Sequence, residues 1–261
     1  MNDLRIVLSD LDGTLLTDSK ELPKDSVRTF NDLAELDIKT ALVTARPYRL
    51  AKNYADELSA DAIICNSGAE IYRCGQLMCS HTVSGDFVRY FASGLEKALP
   101  DIYIGAEVDG QMYANYNMIA NWDKIDAERC DFRRFPFEHA SKLIVNATSS
   151  DELATIASFV GYQFGEVHLE LAHTTAIITS AKASKAISSA RLAYSYDIGM
   201  FQAAAFGDDI SDVELLRAVK YPFCVTNGHS MAKCNAKIIG SNEDGAVIKA
   251  IRKYILGDVY K

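Results

Sequence analysis

The sequence has little that would place the protein in a membrane, secretory or disulfide-bonded class. No apolar run approaches the ~20 residues that a membrane-spanning helix needs. The residues Met1–Arg5 lead straight into an apolar strand and leave no room for a signal peptide. The six cysteines are scattered without a Cys-x-x-Cys pair, and several lie in apolar runs where a thiol behaves as a small hydrophobic group. We therefore expect a protein of the reducing cytoplasm.

Two common signatures of phosphate and metal binding are also missing. The sequence contains neither a Gly-x-x-x-x-Gly-Lys phosphate loop nor a His-Glu-x-x-His zinc motif. The formal net charge of −8 disfavours a general binder of nucleic acid or of anionic membranes. A small anionic substrate is still compatible, because it responds to the local field of its site. The 261 residues, 49% of them apolar, are sufficient for one large or two modest domains with a packed core.

An acidic turn follows the first apolar run of the chain. The run Leu4–Leu8 predicts a buried strand, and it leads into Asp10-Leu11-Asp12-Gly13-Thr14. Side chains at i and i+2 of an extended segment share a face, so Asp10 and Asp12 are expected to project together from the carboxyl end of the strand. Two adjacent carboxylates repel and need a cation, and Mg²⁺ suits them because it prefers oxygen ligands. An ordinary acidic turn is the alternative interpretation.

Strand and helix patterns alternate from this turn to residue 66. A helix opening at Pro23 precedes a strand at Ile38–Thr44, and a second helix precedes a strand at Asp61–Asn66. The apolar faces of the two predicted helices comprise Val27, Phe30, Leu33 and Ala34 in the first and Leu50, Ala51, Tyr54, Ala55 and Leu58 in the second. This alternation predicts an α/β fold with a doubly wound parallel sheet of the Rossmann-like type.

The pattern changes near residue 70, where hairpins begin to alternate with helices. The clearest hairpin joins Ile102–Val108 to Gln111–Ala114 through Asp109-Gly110. This order predicts an α+β domain, residues 81–181, inserted into a core formed by residues 1–80 and 182–261. Several polar and aromatic side chains around the hairpin suit either the lining of a substrate pocket or ordinary packing: Tyr103, Glu107, Tyr113, Asn115 and Tyr116.

Three further clusters carry groups that could act beside the acidic turn. Thr44 ends the second strand, where its hydroxyl can bond a phosphate oxygen. Ser184 is a predicted N-cap that places Lys185 in the first turn of a helix, where an ammonium group is unfavourable unless an anion binds nearby. Asp208 and Asp212 follow a late apolar strand and face one site if a helix starts between them. A structural polar residue is the alternative for Thr44 and Lys185.

These segments together resemble the motifs of the haloacid dehalogenase superfamily, in its Cof-type phosphatase branch. The acidic turn matches the family signature Asp-x-Asp-Gly-Thr, and the late segment resembles Gly-Asp-x-x-Asn-Asp with Ser211 in the asparagine position. Ala45 and Ala186 stand where the family usually has glycine. The resemblance implies a Rossmann-like core whose inserted α+β cap domain determines substrate specificity.

The resemblance also implies a magnesium-dependent phosphatase that works through a phosphoaspartyl intermediate. Asp10 is then the nucleophile, and Asp12 is the general acid and base. Mg²⁺ is held by Asp10, the backbone carbonyl of Asp12 and Asp208, while Asp212 orients the surroundings of the ion. The remaining implied contacts are Gly13, Thr44 and Lys185 with the phosphate and Arg46 and Asn66 with the rest of the substrate.

Relatives of the Cof type commonly act on sugar phosphates, so the expected partner is a small phosphorylated metabolite, with no nucleic acid and no membrane. The oligomeric state is not indicated. Two alternatives stay open at this point. One is a phosphotransferase such as a phosphomutase on the same fold, and the other is a non-catalytic sensor of a phosphorylated ligand. The presence of Asp12 beside Asp10 disfavours the sensor, because a binder has no use for an acid and base.

Overall fold

The computed structural model describes residues 3–121, 126–161, 165–172 and 174–257. The chain divides into two compact units, one formed by Met1–Cys79 and Ser184–Lys261 and the other by Ser80–Ala183. In the described ranges, no helix combines the length and the apolar character needed to cross a membrane.

Both strands and helices contribute to each of the two units. In chain order, the strands are β1 (Ile6–Ser9), β2 (Lys39–Val43), β3 (Ala62–Cys65), β4 (Glu70–Arg73), β5 (Gln76–Ser80), β6 (Val83–Ser84), β7 (Tyr103–Val108), β8 (Gln111–Ala114), β9 (Glu128–Arg129), β10 (His139–Ala140), β11 (Lys142–Asn146), β12 (Val167–Ala172), β13 (Thr175–Ser180), β14 (Ala203–Gly207), β15 (Tyr221–Cys224) and β16 (Lys237–Ile238). The helices are α1 (Ser26–Glu35), α2 (Tyr48–Leu58), α3 (Gly85–Ala98), α4 (Tyr116–Asn121), α5 (Ser150–Gly161), α6 (Lys185–Tyr194), α7 (Val213–Ala218), α8 (Ser230–Lys233) and α9 (Ala246–Ala250), the last of which continues as a π-helix over Ile251–Leu256.

The first unit is organised around an eight-stranded sheet in the order β16-β15-β14-β1-β2-β3-β4-β5. The strands from β16 to β3 pair in parallel, and β4 runs antiparallel to β3. Successive residues of β1 enter different hydrophobic clusters, because Val7 packs on one face of the sheet while Ile6 and Leu8 pack on the other. A parallel sheet buried on both faces is the architecture that the alternating pattern predicted, and that prediction is confirmed.

This strand order brings four chain segments to one edge of the sheet. β1 lies between β14 and β2, and β3 follows β2. Asp10 comes directly after β1, Asp208 after β14, Thr44 after β2 and Asn66 after β3. Because the carboxyl ends of parallel strands meet at the same edge, the polar residues of four distant segments lie together there.

The helices of this unit differ from the prediction in their starts and faces. α1 begins at Ser26 rather than at Pro23, because Asp25 adopts a left-handed conformation (φ 64°) that a helix cannot include. Val27 and Leu50, predicted on the apolar faces, are 39% and 52% exposed. The buried stripes are narrower than the apolar pattern suggested, and side chains at their margins, Ala34 among them, remain accessible to solvent.

The second unit is an α+β module, as its hairpin-rich sequence predicted. Its main sheet has six strands in the order β12-β13-β11-β7-β8-β9, and a two-stranded ribbon pairs β10 with β6. The pairs are antiparallel except for β8 with β9. This unit has its own hydrophobic core, which includes Phe91 and Leu95 of α3, Phe132, Leu143 of β11 and Ile156 of α5.

Asn115, which the sequence suggested as a pocket-lining residue, has a structural role instead. Its side chain is buried and accepts hydrogen bonds from the N–H groups of Ile104 (3.2 Å) and Met118 (3.0 Å). The amide donates to the carbonyl of Ile102 at 2.8 Å. These bonds tie the end of β8 to the start of β7 and of α4, which favours the packing alternative for Asn115.

Candidate active site

A buried ion-paired group forms the centre of the candidate site in the first unit. The carboxylate of Asp10 accepts a hydrogen bond from Lys185 Nζ at 3.1 Å, and the same ammonium donates to Asp212 at 2.7 Å. Lys185 is only 4% exposed although it lies in the first turn of α6. Ser184 is the N-cap, as predicted, and its hydroxyl accepts from two backbone N–H groups of that turn. The two carboxylates supply the anions that make an ammonium group favourable at this helix end.

Asp208 and Asp212 are fixed by the short 3₁₀ turn Ile210–Asp212 that follows β14. Asp212 accepts hydrogen bonds from the backbone N–H groups of Asp208 (3.0 Å) and Asp209 (3.1 Å). Asp208 in turn accepts from the hydroxyl of Thr14 at 2.6 Å. The turn therefore orients both carboxylates, and the loop after β1 contacts one of them.

Gly13 is required by this packing. Its φ of +76° lies in the left-handed region, and a Cβ atom at this position would lie 2.6 Å from Asp208 Oδ2. Any larger residue would displace either the loop after β1 or the carboxylate of Asp208.

The residues of this group suit a divalent cation. Asp10, Asp208 and Asp212 each offer a carboxylate oxygen, and these atoms lie within 4.8 Å of one another. Three carboxylates face one ammonium group, so two negative charges remain uncompensated when all of them are ionised. Hard oxygen ligands with this charge deficit match the preference of Mg²⁺.

The electrostatics of the group reflect the same crowding. Burial raises the pKa of Asp10 well above the ordinary aspartate value, although the Lys185 ammonium opposes the rise. Burial also raises the pKa of Asp208 to about 6, where the Thr14 hydroxyl opposes the rise and the charge of Asp212 adds to it. Burial by itself would lower the pKa of Lys185, but the charges of Asp10 and Asp212 raise it above the usual range. The ammonium therefore stays charged, and the carboxylates are the groups that need a further cation.

The carboxylate of Asp12 is held by a separate pair of cations. Arg46 binds it in bidentate fashion at 2.5 and 2.6 Å, and Lys20 Nζ lies 2.8 Å from the same group. Burial opposes ionisation of Asp12, but the bonds from Arg46 and Lys20 outweigh it and lower the pKa. Asp10 and Asp12 thus pair with different side chains, whereas the spacing predicted that the two carboxylates project together. The reason is that the backbone leaves the extended conformation at Leu11, where the turn Leu11–Leu15 begins.

Thr44 and Asn66 are joined to this region through the backbone. The Thr44 hydroxyl accepts from the N–H of Arg46 at 3.1 Å, and the carbonyl of Arg46 accepts from the N–H of Asn66 at 2.9 Å. The Asn66 side chain is buried and donates to Glu70 at 3.1 Å. The structure therefore gathers Asp10, Gly13, Lys185, Asp208 and Asp212 into one group, with Asp12 and Arg46 as an adjoining pair. Contacts of Thr44 and Asn66 with a substrate stay predictions.

Sequence reasoning missed two residues of the site. Thr14 belongs to the acidic motif, but no role was assigned to it, and the structure pairs it with Asp208. Lys20 occupies a turn in a left-handed conformation (φ 66°), and its carbonyl accepts from the hydroxyl of Tyr54 at 2.9 Å. A pattern in the sequence indicates Thr14 through its place in the motif. None indicates Lys20, because its contact with Asp12 depends on how the loop folds back.

Comparisons with known proteins identify the family and the fold. A family model described as haloacid dehalogenase-like hydrolase matches residues 7–251. The chain is similar to the 5-amino-6-(5-phospho-D-ribitylamino)uracil phosphatase YitU of Bacillus subtilis, with 25% identity over 95% of this chain and 97% of that protein. Among solved structures it resembles SMU.1108c of Streptococcus mutans, with a TM-score of 0.85, 19% identity and coverage of 97% and 99% of the two chains. It also resembles the subclass IIB sugar phosphatase BT4131, with a TM-score of 0.82, 14% identity and coverage of 96% and 98%.

Proposed function

The chain belongs to the haloacid dehalogenase-like hydrolase family as a phosphatase, and we propose that it hydrolyses small phosphomonoesters, sugar phosphates above all, through a phosphoaspartyl intermediate. The observation that carries the proposal is the buried group of Asp10, Lys185, Asp208 and Asp212 at the carboxyl edge of the sheet. A nucleophilic carboxylate needs positive charge beside it to approach an anionic phosphoryl group. Lys185 supplies one such charge, and a divalent cation held by the carboxylates would supply the rest.

Asp10 acts as the nucleophile in the first step. One of its carboxylate oxygens attacks phosphorus, and the bond between phosphorus and the leaving oxygen breaks. The Lys185 ammonium, 3.1 Å from Asp10, favours the ionised carboxylate and stabilises the negative charge of the phosphoryl oxygens as they are transferred. Thr44, at the end of β2, is proposed to donate a further hydrogen bond to these oxygens.

Asp12 acts as the general acid of the first step and as the general base of the second. It gives a proton to the leaving oxygen in the first step and accepts one from water in the second. The water oxygen then attacks phosphorus, and the bond between phosphorus and the Asp10 oxygen breaks to restore the free carboxylate. Arg46 and Lys20 favour ionised Asp12, which suits the proton-accepting role. To act as the acid of the first step, Asp12 must first take up a proton against the effect of these two cations.

The metal-binding residues of the proposal are Asp10, Asp208 and the backbone carbonyl of Asp12. Bound there, Mg²⁺ would supply charge neutralisation between the nucleophile and the phosphoryl group. Asp212, which bonds Lys185 and two backbone N–H groups, orients the other members of the group.

Two similarities support the choice of substrate class. The B. subtilis relative is named for a compound with a phosphorylated ribityl chain, and BT4131 is named as a sugar phosphatase. Both names describe phosphate on a small polyhydroxylated compound. We propose the same class for this chain, with the inserted unit, Ser80–Ala183, as the part that selects among its members.

The test is a panel of phosphomonoesters incubated with the purified protein. We expect magnesium-dependent release of phosphate from hexose or pentose phosphates, lower kcat/KM for nucleotides and much lower values for phosphopeptides. Excess chelator should abolish the activity, and added magnesium should restore it. Activity on phosphopeptides equal to that on sugar phosphates would contradict the substrate class.

The same assay distinguishes a phosphatase from a phosphotransferase, the second enzyme class considered. Release of inorganic phosphate from a sugar monophosphate, without an activating bisphosphate, indicates hydrolysis. Chromatography of labelled products would detect transfer of the phosphoryl group to a second sugar, and such transfer would instead indicate a mutase. Binding of sugar phosphates without either reaction would indicate a sensor.

A further inference from the structure

The loop after β3 has two consecutive residues in the left-handed region of backbone conformation. Asn66 and Ser67 both adopt left-handed conformations, with φ values of 50° and 57°, although neither is glycine. Such conformations persist where the surrounding structure fixes them, and they concentrate at functional sites.

This loop is held in place by contacts with Thr44 and with the start of α6. Thr44 and Lys185, at the start of α6, are both proposed to contact the phosphoryl oxygens. The N–H of Ser67 donates to the carbonyl of Thr44 at 3.1 Å. The next residue, Gly68, packs against the start of α6 so tightly that a Cβ atom would lie 2.8 Å from the backbone nitrogen of Lys185. The hydroxyl of Ser188 further binds the Gly68 carbonyl at 2.6 Å. Ser67 is thereby bracketed by Thr44 and Lys185.

The hydroxyl of Ser67 is buried without satisfying its hydrogen-bonding capacity. The residue is 8% exposed, and its Oγ has no hydrogen-bond partner among the residues that the structure describes. A buried hydroxyl in this condition lowers stability, because it loses its bonds to water and gains none in exchange. The loop therefore combines a left-handed backbone with a buried Ser67 hydroxyl that has no hydrogen-bond partner among the described residues, and it lies next to Thr44 and Lys185.

We propose that the Ser67 hydroxyl binds the phosphoryl group of the substrate, as a third contact beside Thr44 and Lys185. This inference rests on the proposed function. A hydroxyl suits the position because the oxygens of a phosphoryl group are strong acceptors, and charge-assisted hydrogen bonds are stronger than those between neutral groups. The left-handed backbone then fixes the Ser67 hydroxyl in place, and its lack of a partner in the described part of the chain leaves it free to donate to the substrate.

Two substitutions at this position test the proposal. Ser67→Ala removes the hydroxyl, and Ser67→Gly removes it while also relieving the left-handed backbone. Each variant is compared with wild type in kcat/KM for a sugar phosphate, in the dissociation constant of inorganic phosphate measured calorimetrically with Mg²⁺ present, and in Tm. We expect kcat/KM to fall and the phosphate dissociation constant to rise, each by about tenfold, the size expected for one lost hydrogen bond to an anion. The Tm should not fall, and Ser67→Gly should have the higher Tm of the two.

Ser189→Ala is the matched control, because Ser189 Oγ is also buried without a hydrogen-bond partner among the described residues. It should leave both kcat/KM and phosphate affinity unchanged. Unchanged phosphate affinity in both Ser67 variants would overturn the proposal, as would losses that merely follow a fall in Tm. If wild type releases no phosphate but the Ser67 variants still bind phosphate more weakly, the proposed function fails while this assignment stands.

Discussion

At the scale of single residues, the most informative contact is the bidentate bond between Arg46 and Asp12. A fork of two N–H groups fixes a carboxylate in both position and orientation, which a single ammonium does not. The guanidinium also lies 5.2 Å from the centre of the Tyr54 ring, which limits where it can move. Arg46 therefore positions the group that is proposed to protonate the leaving oxygen.

Substitution of Arg46 should affect substrates according to their leaving groups. In Arg46→Gln, kcat/KM for a sugar phosphate should fall by about a hundredfold, because the alkoxide needs a proton from a correctly oriented Asp12. We expect this loss of orientation to outweigh the rise in the Asp12 pKa that removal of the guanidinium causes. For p-nitrophenyl phosphate, whose leaving group departs without protonation, the loss should stay below about tenfold. The ratio kcat/KM is the proper measure, since it reports the steps up to formation of the phosphoenzyme. Arg28→Gln, at an exposed position of α1, is the control and should change neither value. Equal losses for both substrates would show that Arg46 does not act through Asp12.

Asp10 should display opposite effects on activity and on stability. Asp10→Asn removes the proposed nucleophile, so turnover should fall by several orders of magnitude. In chelator the same substitution should leave Tm unchanged or raise it, because the buried site holds excess negative charge and burial raises the pKa of Asp10. Phosphate release and thermal unfolding are the two measurements. Asp37→Asn, an exposed carboxylate on the same unit, should leave turnover unchanged. Turnover close to wild type in Asp10→Asn would rule out the phosphoaspartyl mechanism.

At the scale of elements, the turn Leu11–Leu15 couples β1 to β14. Gly13 leaves just enough room for Asp208, Thr14 donates to that carboxylate, and Asn227 donates to the Gly13 carbonyl at 2.7 Å. Five consecutive residues thus determine where a carboxylate from a distant strand lies. The positions of the carboxylates that are proposed to bind the metal therefore depend on this turn as well as on the strands that carry them.

Gly13→Ala should therefore change the magnesium requirement. The added Cβ atom would displace Asp208, and disturbing the groups around a metal ligand typically costs tenfold or more in metal affinity, so half-maximal activity should need roughly ten times more Mg²⁺. Gly75→Ala is the matched control. Its φ of +74° imposes the same backbone strain, but the nearest atom to the new Cβ is 3.7 Å away. A magnesium titration of activity on both variants separates the two effects. An equal requirement in both would mean that backbone strain alone is responsible.

The sequence predicted the elements of the core well because their signals are local. Strands buried on both faces read as short apolar runs, and acidic or hydroxyl residues that end them must meet at one edge once the strands pair in parallel. This reasoning predicted that Asp10, Thr44 and Asp208 lie at one edge, and the structure places them there. Lys185 was predicted from its place after the N-cap Ser184 instead. It failed for the direction of the Asp12 side chain, because the departure from extended backbone at Leu11 has no clear sequence signal. It also failed for Lys20, whose partner is chosen by the folding of its loop and not by spacing along the chain.

At the scale of the whole molecule, the chain contains separate hydrophobic cores. The clusters of the first unit include Leu42 and Cys65 on one face of the sheet and Cys224 on the other. The cluster of the second unit includes Leu143 and Cys130. Because each core is formed within one unit, the loss of packing in one of them need not expose the other.

The buried cysteines allow this independence to be measured. Cys130 and Cys224 are both buried, and burial raises the pKa of each thiol to about 11, so neither should react with an alkylating reagent near pH 8 while its unit is folded. Leu143→Ala should destabilise the second unit by about 2–5 kcal/mol, since it leaves a cavity at a fully buried position. Labelling of Cys130, followed by mass spectrometry, should become faster by a large factor while labelling of Cys224 stays at the wild-type rate.

Leu42→Ala provides the reciprocal test, because Leu42 is equally buried but belongs to the core of the first unit. It should accelerate labelling of Cys65 and Cys224 and leave Cys130 protected. Cys74 and Cys234, which are exposed, should react quickly in every variant and serve as internal references. Parallel acceleration of all three buried thiols in both variants would mean that the two cores unfold as one cooperative structure. Separate responses would mean that the second unit can lose packing without unfolding the first unit, which holds the proposed catalytic residues.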